Sequence, residues 1–485
     1  MTRRRLLSEA PTPMRTRITA VLLAAAALTP LTLTVSAHAA TAAAPWDFNG
    51  DGRTDLAIGA PGATVSGKAR AGAVTVVYGS TSGPKTSTRT LLTQETAGLP
   101  GAAEADDAFG SALASADLDR DGYADLLIGV PGEDAYDTNN GTVTLVWGSA
   151  TGLSGARSLH SPFDRDYDRY GQTLAAGDFD SDGDPDVAVG STGPVTLTLV
   201  NGPVTRTSSP NGASGSRNDW WSATTGVTHL SSGDITGDGH PRAVLHGRAA
   251  HNGTATTALA DMTIGNYNDW LQDLPGGFVS AVGDIDGDGH ADIAVGNDRE
   301  ASADPGGALG GRVSVVYGGP AGIDLGRAPL VLTQDTAGVP GAAEKGDRFG
   351  SGVALGDVNG DGYADLAIGT AGENAAAGAV TVLYGSASGL STKGAVSYTQ
   401  NTAGVPGGSE SGDRFGERVT LTDTTGDRRA DLAVSAPGEN AGDGALWSLR
   451  ATATGLTTSG ATSFGPGTTG VSTAGTPGYG TALTP

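Results

Sequence analysis

Apolar residues in this chain fall in short runs separated by glycine-rich and acidic turns, and the runs follow two patterns. One is nearly continuous and closes on glycine: LAIGAPG from Leu56, LLIGVPG from Leu126, DLAIGTAG from Asp365, and LAVSAPG from Leu432. The other alternates and ends on an aromatic-glycine pair: AVTVVYG from Ala73, TVTLVWG from Thr142, RVSVVYG from Arg312 and AVTVLYG from Ala379. β-Branched residues in segments this short predict strands, the first kind buried on both faces. Phe349 to Gly369, FGSGVALGDVNGDGYADLAIG, joins an apolar strand, an acidic loop and a second apolar strand without a break.

The acidic loop recurs seven times, starting at Asp47, Asp117, Asp178, Asp234, Asp284, Asp357 and Asp423, at spacings of 70, 61, 56, 50, 73 and 66 residues. Each interval has room for four short strands. This predicts an all-β fold, a seven-bladed β-propeller of four-stranded antiparallel blades with its loops on one rim. The chain has a loop at Asp47 with no strand before it, and at its end Tyr479-Gly480-Thr481-Ala482-Leu483 is a strand start with no loop after it. Residues 479–485 are therefore expected to close the first blade and remove an open edge.

Within the loop, oxygen-bearing side chains stand at positions 1, 3, 5 and 9, with glycine at 6 and a backbone carbonyl at 7. This arrangement wraps hard oxygen ligands around Ca²⁺. An EF-hand would need an acid at position 12, where this chain has Ile58, Ile128, Val189, Leu245, Val295, Ile368 and Val434. A strand-loop-strand calcium turn is expected instead. Loops 2, 3 and 5 carry four aspartates each: Asp117, Asp119, Asp121, Asp125; Asp178, Asp180, Asp182, Asp186; Asp284, Asp286, Asp288, Asp292. Loops 1 and 6 place asparagine at position 3: Asp47, Asn49, Asp51, Asp55 and Asp357, Asn359, Asp361, Asp365. In these five the carbonyls of Arg53, Tyr123, Asp184, His290 and Tyr363 complete the set. Loop 7 keeps Asp423, Asp427 and Asp431 but has Thr425 at position 3 and Arg428 at 6, and is expected to bind weakly as a sixth site. Loop 4 has Thr236 at position 3 and Arg242 at 9, so a guanidinium is expected in place of the ion.

These units resemble FG-GAP repeats, the building blocks of the integrin α-subunit propeller and of many secreted bacterial proteins. The FG stands as Phe109-Gly110, Phe349-Gly350 and Phe415-Gly416, with Tyr170-Gly171 as a variant, each eight residues before its loop. GAP stands as Gly59-Ala60-Pro61, with GVP from Gly129 and SAP from Ser435. The resemblance implies a calcium-bearing propeller over nearly all of residues 45–485. Some proteins with such units are hydrolases or lyases, so the family fixes fold more firmly than activity.

Composition changes the picture in three ways. Residues 1–39 read as a secretory signal: five arginines, an apolar run from Ile18, and the small-x-small site Ala37-His38-Ala39. With no cysteine in 485 residues, neither a disulfide nor a lipid anchor can hold an exported chain. A secreted, unanchored monomer of residues 40–485 is expected, and the alanine, glycine and arginine usage is that of GC-rich bacteria. The formal charge of −23 argues against nucleic acid as a partner. Since 23 aspartates occupy loop positions 1, 3, 5 and 9, bound calcium would offset much of that charge.

Residues 201–275 break the repeat with a period of their own, RNDW from Arg217 matching YNDW from Tyr267. Trp220, Trp221, Tyr267 and Trp270 gather there with polar neighbours. They form either a sugar- or peptide-stacking patch or a packing variant of the FG segment. No GxSxG, HExxH or cysteine nucleophile is present. His240 and His290 sit at position 7, with side chains expected to point outward. The function expected is a non-enzymatic extracellular binding or adhesion module for a protein or glycan ligand. The alternative is a carbohydrate-active propeller, a lectin or a glycan or phosphodiester hydrolase or lyase, using residues 217–270.

Overall fold

The structure, a computed structural model, describes residues 42–163, 167–208, 210, 212–216, 221–262 and 271–484. The alternating runs pair in register as antiparallel ladders. In blade 6, Phe349–Gly356, Asp365–Thr370, Ala379–Tyr384 and Ser391–Tyr398 follow one another from the axis outward, with Ile368 opposite Val353 on one side and Thr381 on the other. Six more four-stranded sheets repeat this order. Blade 2 runs from Leu113–Ala116 to Ala156–Leu159, blade 3 from Asp168–Gly177 to Gly212–Ser216, and blade 4 from Val227–Gly233 to Leu271–Leu274. Blade 5 runs from Val279–Gly283 to Leu330–Leu332, and blade 7 from Val419–Thr422 to Gly455–Phe464. The chain is an all-β, seven-bladed propeller.

Blade 1 draws on both ends of the described chain. Its strands Leu56–Ala60, Ala73–Val77 and Arg89–Leu92 take Ala482–Leu483 as the innermost partner, with Ile58 opposite Leu483 and Gly59 opposite Ala482. Tyr479 is fully buried beside this strand.

The second and third strands are buried nearly end to end, as their continuous apolar character requires, and the core lies between neighbouring sheets. Ala354, Val380 and Val382 of blade 6 share one cluster with Phe415, Leu432, Val434 and Trp447 of blade 7. The FG and GAP segments make the blade-to-blade joint. Phe109, Tyr170, Phe349 and Phe415 are fully buried, and their N–H groups donate to Ala71, Asn140, Gly310 and Ala377 of the preceding blade. The carbonyl of the FG glycine then lies against the preceding GAP glycine: Gly110 on Gly59, Gly171 on Gly129, Gly416 on Gly369. Any Cβ there would collide with that carbonyl, so close backbone approach accounts for the glycine.

Candidate metal centres

Loops 2 to 7 join the first strand of a blade to its second, and loop 1 leads directly into Leu56–Ala60. The position 1 aspartate organises each turn from within. Asp47 accepts the N–H groups of Asp51 and Gly52 at 3.0 and 2.9 Å, and Asp117 accepts those of Asp121 and Gly122 at 3.0 Å. The position 5 carboxylate accepts the N–H of position 7, as Asp51 does from Arg53 and Asp361 from Tyr363.

Position 9 fastens the loop to the blade. One oxygen of Asp365 accepts the N–H of Val358 at position 2, at 3.0 Å, and the other accepts that of Gly385 beyond the third strand, at 2.8 Å. The same double bond is made by Asp55 to Phe48 and Gly79, Asp125 to Leu118 and Gly148, Asp186 to Phe179 and Gly202, and Asp292 to Ile285 and Gly318. Asp431 repeats it with Thr424 and Ala451. Burial, aided by the neighbouring loop carboxylates, pushes Asp125 up to about 8, Asp55, Asp292 and Asp365 to about 7, and Asp186 to about 6. The backbone donors offset only part of this.

The loops also touch one another around the rim. The position 8 N–H donates to the position 1 carbonyl of the preceding loop: Ala124 to Asp47, Ala291 to Asp234, Ala364 to Asp284, Ala430 to Asp357, and Thr54 to Asp423. Loops 3 and 4 carry Pro185 and Pro241 at this position and have no N–H to give. Position 7 crosses to position 4 of the preceding loop. A Cβ on Gly50 would lie 2.8 Å from the Tyr123 ring, one on Gly287 2.7 Å from Tyr363, and one on Gly237 2.9 Å from His290. Asp184 binds Arg120 at 3.1 Å, His240 Nδ1 lies 3.5 Å from Asp178, and Arg53 closes the ring onto Gly426 and the Thr425 carbonyl. The expectation that His240 and His290 point outward is thus corrected, because the curvature of the ring places the preceding loop beneath each position 7 side chain.

Among the described residues, three loops gather carboxylates tightly enough for an ion. In loops 2, 3 and 5, one ligand atom each from Asp117, Asp119 and Asp125, from Asp178, Asp180 and Asp186, and from Asp284, Asp286 and Asp292 lie within 4.8 Å of one another. Asp121, Asp182 and Asp288 at position 5 fall outside these groups. Asp119 Oδ1, Asp178 Oδ1 and Asp286 Oδ1 are buried with no hydrogen-bond partner. Oxygen-only donors, mutually repelling and carrying an unpaired buried oxygen, suit a hard divalent cation. Loops 1 and 6 have the same backbone turn with Asn49 or Asn359 at position 3; Asn359 donates to Asp361 at 2.9 Å.

Loop 4 is filled by its own side chain. The Arg242 guanidinium takes both oxygens of Asp238, at 3.0 and 2.8 Å, and the His240 carbonyl at 2.7 Å. It thereby occupies the ligands of positions 5 and 7. In loop 7 the Thr425 hydroxyl turns inward to Asp423 at 3.2 Å, Arg428 holds φ +67° where other loops have glycine, and Arg429 pairs with Asp427 at 3.2 Å.

Of the aromatic sector, Trp220, Tyr267 and Trp270 lie outside the described residues. Trp221 is buried in the core of blades 3 and 4, its ring against Gly247, so its face is taken up by packing. Sequence reasoning passed over His246, which is fully buried with Nε2 2.7 Å from Ser280 Oγ and Nδ1 3.1 Å from the Gly277 carbonyl. Nothing in its sequence neighbourhood announces this. Among the described residues, no helix is long and apolar enough to cross a membrane.

The family model for the FG-GAP repeat matches residues 39–77, 109–146, 170–202, 276–316, 349–383 and 415–449. These segments contain loops 1, 2, 3, 5, 6 and 7, and the unmatched stretch contains the arginine-filled loop 4. Among curated proteins, the phosphatidylinositol-glycan-specific phospholipase D of rat is 35% identical over 148 residues, and that of cattle 34% over 148 residues. Each match covers 30% of this chain and 17% of the relative. The human enzyme is 34% identical over 147 residues.

Proposed function

The chain is an FG-GAP repeat protein, and we propose that it is a calcium-stabilised extracellular propeller, a non-enzymatic binding or adhesion module for a protein or glycan ligand. The observation that carries the calcium reading is the unpaired buried oxygen in each all-aspartate cage. Asp117, Asp119 and Asp125 would hold one ion, and their counterparts in loops 3 and 5 two more. Loops 1 and 6 would add sites through Asn49 and Asn359, and loop 7 a weaker one. A bound cation supplies the positive charge that the clustered carboxylates lack and ties the rim of the ring together. Export through residues 1–39 and action as a monomer belong to the same reading. An acidic surface disfavours nucleic acid as the ligand.

The binding-module reading is supported by how the acids are engaged. The aspartates with raised pKa could serve as general acids only if an oxygen reached substrate. Asp55, Asp125, Asp186, Asp292 and Asp365 are buried, with both oxygens bound to backbone N–H groups. The test is melting with and without EDTA, followed by a glycan array and a protein-ligand screen. A melting temperature unmoved by EDTA would refute the calcium reading, and saturable binding without turnover supports the module. The second reading, a carbohydrate- or phosphodiester-active propeller, rests on the likeness to phosphatidylinositol-glycan-specific phospholipase D. New reducing or unsaturated ends, or cleaved phosphodiester, from any array hit would establish it.

A further inference from the structure

The three all-aspartate cages share a feature absent from the sequence pattern: in each, a donor from outside the loop holds one oxygen of the position 3 carboxylate. In loop 2 it is Arg206, carried across from the connection that follows the third strand of blade 3. Its Nε lies 3.0 Å from Asp119 Oδ2, and its Nη2 lies 3.0 Å from Asp121 Oδ2 and 3.1 Å from the Gly148 carbonyl. The guanidinium carbon stands 5.1 Å from the centre of the Trp147 ring. In loop 5 it is Arg327, with Nη1 2.6 Å from Asp286 Oδ2, Nη2 3.2 Å from the Ser388 carbonyl, and its guanidinium over the Tyr317 ring. In loop 3 it is Asn201, whose Nδ2 donates to Asp180 Oδ2.

Loops 1 and 6 have neutral asparagine at position 3, and among the described residues no donor from outside the loop is bound to Asn49 or Asn359. An outside donor thus accompanies the fourth carboxylate where there is one.

These donors differ from Arg242, which consumes its loop's ligands. Arg206 and Arg327 bind only Oδ2 of the position 3 carboxylate and leave Oδ1 of Asp119 and Asp286 buried and unpaired, on aspartates that belong to the carboxylate groups. We propose that Arg206, Asn201 and Arg327 are positioning residues for the metal cages: each fixes the position 3 carboxylate, and the two arginines also leave its second oxygen free for the ion and offset the added negative charge. This rests on the calcium reading of the cages. Outer donors that orient a ligating carboxylate typically change metal affinity by about 10–100-fold. A guanidinium matches a carboxylate edge while remaining charged at any working pH.

The test uses the whole chain, depleted of metal and dialysed against graded free calcium, with bound ions counted by mass spectrometry. At free calcium just saturating the unaltered protein, the Arg206→Ala/Arg327→Ala chain is expected to hold about two fewer ions, each affected site weakened by about 10–100-fold. Adding Asp119→Asn and Asp286→Asn, which gives loops 2 and 5 the neutral position 3 of loops 1 and 6, should restore the count. That rescue also shows that the arginine variants fold. Unchanged or tighter binding in the arginine variant overturns the inference, tighter binding meaning that the arginines compete with the ion as Arg242 does. Failure of the asparagine substitutions to rescue overturns it too. No calcium bound by the unaltered chain removes the cage reading and this inference with it, an outcome distinct from the other two.

Discussion

Arg242 occupies a place where six other loops have an aspartate, and its guanidinium fills the position that an ion would take in loop 4. Its side chain is only 10% exposed, and besides Asp238 it meets Asp261 at 3.3 Å. Arg242→Ala would leave Asp234, Asp238 and Asp261 near one another without a cation, and the carboxylates and the His240 carbonyl without their donor. A loss of about 1–3 kcal/mol is expected, reduced from the cost of breaking a fully buried pair because Asp238 is half exposed. Urea denaturation should give the same loss with and without EDTA; a loss seen only with metal present would mean that loop 4 does bind an ion. His246 gives a second test at this scale. Burial and the adjacent His229 push its pKa down to about 3, with Ser280, Thr257 and the Gly277 carbonyl around the ring and the Arg418 charge near His229. The folded state holds the ring neutral while the unfolded chain protonates it near 6.5. Its contribution is therefore complete above that pH and declines as pH falls toward 3, by about 2 kcal/mol at pH 5. The stability gap between the unaltered chain and His246→Gln should shrink by that amount between pH 7 and pH 5. A gap independent of pH would show that the ring is not held neutral.

At the scale of the loop, the residue that reads most plainly as a ligand also does most for the fold. Asp365 satisfies two buried N–H groups from different parts of blade 6, whereas Asp361 stands at the exposed tip of the same loop. In EDTA, Asp365→Ala should cost about 2–4 kcal/mol by leaving both N–H groups unpaired, and Asp361→Ala less than about 1 kcal/mol. Equal losses would mean that position 9 is a ligand only. Gly50 and Gly52 separate backbone strain from loop-to-loop contact in the same way. Both have positive φ, +69° and +80°, but a Cβ on Gly50 meets the Tyr123 ring while one on Gly52 meets nothing within 4 Å. Gly52→Ala should cost about 1 kcal/mol for the left-handed backbone, and Gly50→Ala measurably more, by thermal or urea melts. This contrast also marks how far the sequence can be read. The turn is visible because Asp47, Asp51 and Gly52 serve one another within six residues, and the FG and GAP pairs are visible because they recur. The partnership of Gly50 with Tyr123 is not, since the two lie in different loops and meet only once the ring has formed. The same holds for Arg206 and Arg327, which reach their cages from connections with no repeat of their own, and for Trp221, whose NDW setting fits a surface patch as well as a core.

For the whole molecule, a ring of blades has no stable partial form unless its ends meet. Seven sheets each bury a face against the next, so an unclosed ring exposes two apolar faces and one unpaired strand edge. Here the joint between blades 7 and 1 copies the others. The Tyr479 N–H donates to the Asp443 carbonyl at 3.0 Å, as Phe415 does to Ala377, and the Gly480 N–H donates to Gly59 at 2.9 Å, as Gly416 does to Ser435. Gly62 and Thr484 add bonds to Pro477 and Ala57, and the loops close through Arg53 on Thr425. Deleting residues 476–485 would remove the innermost strand of blade 1, the buried Tyr479 and the cover of Ile58 and Ala60 at once. Burial of one large side chain alone is worth about 1.5–3 kcal/mol, so the combined loss approaches the whole stability of an ordinary domain. The truncated chain should therefore melt far below the full chain, and it should do so in calcium as well as in EDTA, because ions bound within loops cannot replace a missing strand. A synthetic peptide of residues 476–485 added in excess should raise the melting temperature by mass action. A truncated chain that melts like the full one would show that the loop contacts hold the ring without its last strand.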